Sequence, residues 1–285
     1  MTVTLPTSID EAVAALAASP TALLLAGGTD TMVEVNAGAR EVSSVVALRD
    51  VAELRTWKRD GDDVVLGAGL TYTDLLANEL AALVPALAQA ARTVGSPQIR
   101  NAGTLGGNLA TASPAGDTLP VLAALDATVE IVGPTRRHVV PLSEFVLGPK
   151  RNALRPGELV VAVRLPVARG PQQYRKVGVR NAMVIAVASV ALVIDADRRT
   201  VACALGSVGP MPLRAPSAER WAADRIDWDD VALPDPLSDA RRFGQLVADA
   251  AQPIDDHRGT ATYRRHAVAV LAERSMRTAL EPAGS

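Results

Sequence analysis

The chain has 285 residues, 48% apolar and 21% charged, with 29 Lys and Arg against 31 Asp and Glu and a net charge of -2. This is globular composition, long enough for two domains. The charge balance gives no basic field for nucleic acid or an anionic membrane, and 3% aromatics provide no stacking platform for single strands. Cys203 is the one cysteine, so the chain has no internal disulfide and cannot hold an iron–sulfur cluster, which takes about four thiolates. There is no basic-then-apolar leader, and the longest apolar run, residues 184–194, falls short of the roughly 20 residues of a membrane span. The cytosol is the expected compartment.

Ser8 stands three residues before Glu11, a capping box, and Ile9, Ala12, Val13 and Leu16 share one face of the helix that follows. "TALLLAGG" is a short buried strand that ends at Gly27-Gly28, "TDTMVEV" starts a helix, and "VSSVVALRDV" is a second strand. "DDVVLGAGLTYTDLLANEL" reads as strand, turn and helix, with Thr71 or Thr73 as N-cap, and residues 83–92 form another helix. After Asp117 come a short helix, the strand "ATVEIVG", and the strand "GELVVAVRLP", which Pro166 stops. The connection "PVARGPQQ" marks a domain boundary. Beyond it, two apolar runs around "DADRR" predict a hairpin, and the tail from Ser217 predicts helices, "YRRHAVAVLAERSMRTAL" foremost. Without a sustained βαβ period the fold class is α+β.

Two glycine loops stand out, Ala26-Gly27-Gly28-Thr29-Asp30-Thr31 and Gly103-Thr104-Leu105-Gly106-Gly107-Asn108. Paired glycines admit positive φ and remove Cβ atoms, so successive N–H donors can converge on an anion. Neither loop is G-x-G-x-x-G or a P-loop, which disfavours a nicotinamide Rossmann domain and an NTPase. Each is by itself either a tight turn or one half of a pyrophosphate clamp. Asp117 either caps the following helix or accepts hydrogen bonds from a ribose. Arg175, Lys176 and Arg180 are either a solvated strand edge or cations beside a bound ligand. His138, His257 and His266 are scattered, and neither a metal-binding spacing nor a G-x-S-x-G elbow is present. No residue is a candidate acid, base or metal ligand, so any redox or transfer chemistry falls to a bound cofactor.

"LLLAGGTDT", "SPQIRNAGTLGGNLATASPAGDTLPVLAALDA", "GELVVAVRLP" and "YRKVGVR", in this order and spacing, resemble the FAD-binding subunit of the molybdenum hydroxylases, the family of xanthine dehydrogenase and aerobic carbon monoxide dehydrogenase. The resemblance covers nearly the whole chain. It implies a two-lobed FAD domain of the vanillyl-alcohol-oxidase type over residues 1–168, with lobes of about 1–55 and 56–168, and a smaller α+β domain of antiparallel sheet and helices over 169–285. It implies FAD contacts from Leu24, Leu25, Ala26, Gly27, Gly28, Thr29, Asp30 and Thr31, and from Gly103, Thr104, Gly106, Gly107, Asn108 and Thr111. Asp117 would hold the ADP ribose, Val94 and Val160 would lie along the cofactor, and Lys176 would approach the flavin.

The resemblance also implies an electron-output subunit. A small partner would carry [2Fe-2S] clusters and a large one a molybdopterin, in a dimer of heterotrimers, with NAD+ or O2 taking the electrons. A stand-alone flavoenzyme of the same fold and a scaffold that has lost flavin are the other readings. Carbon monoxide dehydrogenases carry a Tyr over the flavin after "RKVG". Val179-Arg180-Asn181 stands there instead, which leans toward the xanthine dehydrogenase type. Val184 replaces an Asp common among relatives, and Cys203 alone excludes the cluster-binding insertion some of them carry.

Overall fold

A computed structural model of the chain describes residues 1–180 and 183–281. Backbone packing divides it into two compact units, neither continuous in sequence. The first takes residues 1–77, 95–113 and 126–166, and the second takes 78–94, 114–125 and the chain from 167 onward.

The first unit holds two main sheets. In the smaller, parallel strands run in the order Thr2–Thr4, Ser44–Ala47, Leu23–Leu25. Parallel strands need a crossover connection, and helix Ile9–Ala18 lies in one. Ser8 caps it as expected, its Oγ accepting the Glu11 N–H at 3.2 Å. The reciprocal half of the box is shifted by one residue. The Glu11 carboxylate accepts the amide and hydroxyl of Thr7, at 2.8 and 2.9 Å. Ala12, Val13 and Leu16 form the buried stripe.

The larger sheet is antiparallel, in the order Trp57–Asp60, Asp63–Gly67, Leu159–Pro166, Thr128–Val132, Arg137–Pro141. Its central strand Leu159–Pro166 is buried along most of its length. A bulge between Val160 and Ala162 breaks the register, and the Val161 carbonyl accepts the Ala68 N–H at 2.9 Å.

Two expectations change here. The helix expected at Thr71 or Thr73 starts at Asn78 instead, as Asn78–Leu83. Asp74 accepts both the N–H and the hydroxyl of Thr71 at 2.8 Å, which closes the chain into a 3₁₀ turn, Asp74–Leu76. The second glycine stretch is helical rather than a loop, with helices Pro97–Ala102 and Leu105–Thr111. Ser96 and Thr104 cap them through their hydroxyls. Packing overrides the low helix propensity of glycine. A Cβ on Gly106 would lie 2.7 Å from the Ala68 Cβ and 2.8 Å from its carbonyl oxygen, so only bare backbone fits.

The second unit is built on an antiparallel sheet in the order Gln172–Val177, Ala188–Asp195, Thr200–Gly206, Leu213–Arg214. The hairpin around "DADRR" is present, and Arg199 takes φ +51° in its turn. Every residue of Ala188–Asp195 is buried, because both faces of the sheet are covered. On one face Val190, Leu192, Cys203 and Leu205 pack with Phe243, Val247, Val268 and Met276 of helices Pro236–Ala250 and Ala261–Leu280. Helices Pro85–Thr93 and Thr118–Ala124 cover the other. Each fully buried aliphatic side chain contributes about 1.5–3 kcal/mol, which is why these two sequence-distant segments join the second unit.

Candidate functional site

Immediately after strand Leu23–Leu25 the chain bends through residues 26–30 into helix Thr31–Asn36. Gly28 makes the bend at φ +70°, a left-handed conformation that favours glycine. A Cβ on Gly27 would collide with the carbonyl group of Ala102, so bare backbone lies against bare backbone there. That contact brings the two glycine segments together. The N–H groups of Ala26, Gly27, Gly28, Thr29, Asp30 and Thr31 have no acceptor among the described residues, and the first N–H of this segment to find one is that of Met32, bonded to the Gly28 carbonyl at 3.0 Å. Six successive donors are therefore left without a partner among the described residues.

The second segment behaves differently. Leu105 donates to the Leu70 carbonyl at 2.9 Å, Gly106 to Ala68 at 2.8 Å, Gly107 to the Thr104 hydroxyl at 3.0 Å and Asn108 to the Thr104 carbonyl at 3.0 Å. These amides hold the helix in place. What Gly106 and Gly107 offer the site is the absence of side chains.

Both segments line one cleft of about 720 Å³, within the first unit and in the size range of small-molecule sites. Leu24, Ala26, Gly27, Gly28, Thr29, Asp30, Thr31, Thr104, Gly106, Gly107, Asn108, Thr111 and Val160 lie on it. The Thr111 hydroxyl donates to the Asp30 carboxylate at 3.3 Å across the junction of the two segments. Leu25 packs into the small core of the parallel sheet instead, and Gly103 lies against the Tyr72 ring. Sequence reasoning missed the charged lining residues Arg49, Arg55, Lys150 and Glu158. Only the fold collects these side chains, and no motif marks them.

Val94, Asp117 and Lys176 belong to the second unit. Asp117 sits at the N-terminus of helix Thr118–Ala124, yet its side chain caps nothing. Its carboxylate accepts the Tyr174 hydroxyl at 2.7 Å and the Lys176 ammonium at 2.7 Å. Lys176 Nζ also donates to the Thr93 carbonyl at 2.9 Å and the Val184 carbonyl at 3.2 Å, which uses its three protons. The solvated-edge reading therefore fails for Lys176, whose side chain is 8% exposed. Burial pushes the Asp117 carboxyl above its ordinary range, while the charge and hydrogen bond of Lys176 and the Tyr174 hydroxyl pull it back. The Tyr174 hydroxyl is raised well above its ordinary value by burial and by the Asp117 charge. Arg175 reaches Thr278 at 2.9 Å and Arg180 the Met183 carbonyl at 2.8 Å. Of the segment Val179-Arg180-Asn181, Asn181 lies outside the described residues.

Residues 1–168 match the family described as the FAD binding domain in molybdopterin dehydrogenase, and residues 172–279 match the CO dehydrogenase flavoprotein C-terminal domain. The chain belongs to this FAD-binding family. It is 31% identical to the glyceraldehyde dehydrogenase medium chain of Sulfolobus acidocaldarius over 95% of each chain. It is 28% identical to the xanthine dehydrogenase FAD-binding subunit of Escherichia coli O157:H7, over 97% of this chain and 95% of that one. A crystal structure of the Cu,Mo-CO dehydrogenase shares the fold with a TM-score of 0.86 at 28% identity, covering 98% of each chain. Family membership makes FAD the cofactor of this chain and redox chemistry its class, with an FAD-binding domain followed by a smaller α+β domain. The cleft fits that cofactor. A dinucleotide diphosphate is an anion that needs unengaged donors and no intruding Cβ, and on this cleft residues 26–31 have the first while Gly27, Gly106 and Gly107 provide the second.

Proposed function

We propose that the chain is the subunit through which a molybdenum hydroxylase discharges its electrons, with FAD seated in the cleft of the first unit. The observation that carries this is the row of six unpartnered amides from Ala26 to Thr31 on a cleft floored by glycine. These amides hold the diphosphate. Thr104, Asn108, Thr111 and Val160 border it, and the missing side chains of Gly27, Gly106 and Gly107 allow the close approach. Leu24 and Leu25 set the strand from which the loop springs, and Gly103 sets the turn into the second helix. Each oxygen of Asp117 keeps a lone pair beyond its bond to Tyr174 or Lys176, and a ribose contact depends on these. Lys176 holds that carboxylate in place, and Val94 follows Thr93, whose carbonyl accepts the same ammonium.

Bound FAD supplies the redox chemistry, accepting electrons and passing a pair to NAD+ or O2. Their source is another chain. Cys203 is fully buried, its thiol pushed far up by burial, and one thiol cannot ligate a cluster. A small [2Fe-2S] subunit and a large molybdopterin subunit are the partners, in a dimer of heterotrimers. Val179-Arg180-Asn181 favours a xanthine dehydrogenase type over a carbon monoxide dehydrogenase. Among the described residues no helix is long and apolar enough to cross a membrane.

The test is purification of the chain alone and co-expressed with a Cys-rich small chain and a large chain. We expect flavin absorbance from the chain alone, and bleaching of that flavin by the large chain's substrate only when all three are present. A chain that retains no FAD after incubation with excess cofactor removes the reading. So does bleaching without the small chain.

A further inference from the structure

The first loop carries two carboxylates next to its six amides, Asp30 and, one helical turn further, Glu34. A diphosphate placed on those amides would face both acids, a like-charge arrangement that weakens binding unless a cation offsets it. One cation is built into place. Lys150 sits in the turn between strands Val146–Gly148 and Arg151–Asn152, in a left-handed conformation at φ +56°. Two bonds fasten this hairpin to the end of helix Leu105–Thr111. The Lys150 N–H donates to the Ala112 carbonyl at 3.0 Å, and the Asn152 amide to the Ala110 carbonyl at 2.6 Å. Ala112 is itself left-handed, at φ +46°. Unfavoured backbone at two bonded positions, Lys150 on the cleft and Ala112 next to its lining residue Thr111, is the kind of local cost that persists where it places a functional group.

The group placed is the Lys150 ammonium. It donates to Glu34 Oε1 at 2.7 Å, lies within electrostatic reach of Asp30, and lines the cleft. That bond uses one of its three protons, and the side chain is 69% exposed on a flexible stem.

We propose that Lys150 binds the cofactor's diphosphate, with Glu34 as the partner that holds it when no anion is present. The proposal rests on the FAD reading above. Its test measures FAD affinity and dissociation rate by flavin fluorescence across a salt series, in wild type and in Lys150→Met, Lys150→Arg and Glu34→Gln. Lys150→Met is expected to weaken FAD binding about tenfold and to flatten its salt dependence. Lys150→Arg should restore both, and Glu34→Gln should leave binding as tight as wild type or tighter. Unchanged affinity in Lys150→Met overturns the proposal. So does an equal loss in Lys150→Met and Glu34→Gln, which would make the pair a structural clasp. Wild-type protein that fails to take up FAD sinks the underlying reading instead, and the two failures are told apart by that control.

Discussion

Replacing Lys176 by Met strips the cation from a buried ion pair and keeps most of the side-chain volume. Both partners are nine-tenths buried, at 8% and 9% side-chain exposure, so water cannot take over the lost contact. Removing one partner of such a pair costs about 3–5 kcal/mol. At the usual scaling for domains of this size that lowers Tm by about 6–20 °C. The cost also depends on pH, and its sign is fixed. Burial already holds the folded Asp117 carboxyl above its ordinary value, and Lys176 is the strongest influence drawing it down. Without Lys176 the folded value rises further above the unfolded one, near 3.9. The folded variant therefore gains a proton more readily than the unfolded chain, and stability is lost as pH rises through the folded value. Urea unfolding at about pH 5 and about pH 8 should show a deficit, relative to wild type, that is larger at the higher pH. The Asp117→Asn, Lys176→Met double variant, which leaves no buried charge, should recover most of the loss. An equal deficit at both pH values, or a double variant as unstable as the single, would refute the account of a stranded carboxylate.

Gly27→Ala forces a Cβ into the Ala102 carbonyl group and should cost about 1–3 kcal/mol or more, together with FAD affinity. Gly107→Ala meets only the Thr104 hydroxyl at 2.9 Å and gains helix propensity, so urea titration should place it within about 1 kcal/mol of wild type. Arg264, 4% exposed, donates to the Ser207 carbonyl and to Asp256 at 2.6 Å. Arg264→Met should lose about 3–5 kcal/mol in the same assay, and a loss below about 1 kcal/mol would contradict these bonds. Cys203 should resist thiol reagents in the native protein and react fully in denaturant, because burial keeps it protonated and out of reach. Native-state labelling would count against the packing described for this strand.

Much of the local structure was legible because it depends on neighbours in sequence. Ser8 capped its helix, the "DADRR" hairpin formed, and the strand expected before the glycine pair formed as Leu23–Leu25. The readings that changed were those in which a distant contact decided between local options. Thr71 turned onto Asp74 and gave up the helix start. The 103–108 stretch became helical because Ala68 and Leu70 accept its first amides. Asp117 left its cap position unused because Tyr174 and Lys176, more than 50 residues away, take its carboxylate.

The same division runs through the candidate site. The glycines of the cleft could be picked out from sequence alone, since absence of a Cβ is a property of the residue. Which of their amides are free could not, because that depends on whether another strand supplies an acceptor. Residues 26–31 meet none among the described residues, and 105–108 are fully engaged. Lys150 carried no sequence signal at all, because its place on the cleft is set by a hairpin anchored on a helix some 40 residues earlier. The sequence by itself determined that two stretches of backbone would be bare. The tertiary structure decided that they meet, which one keeps its donors and which charges border them, because hydrogen-bond partners and electrostatic neighbours are set by proximity in space.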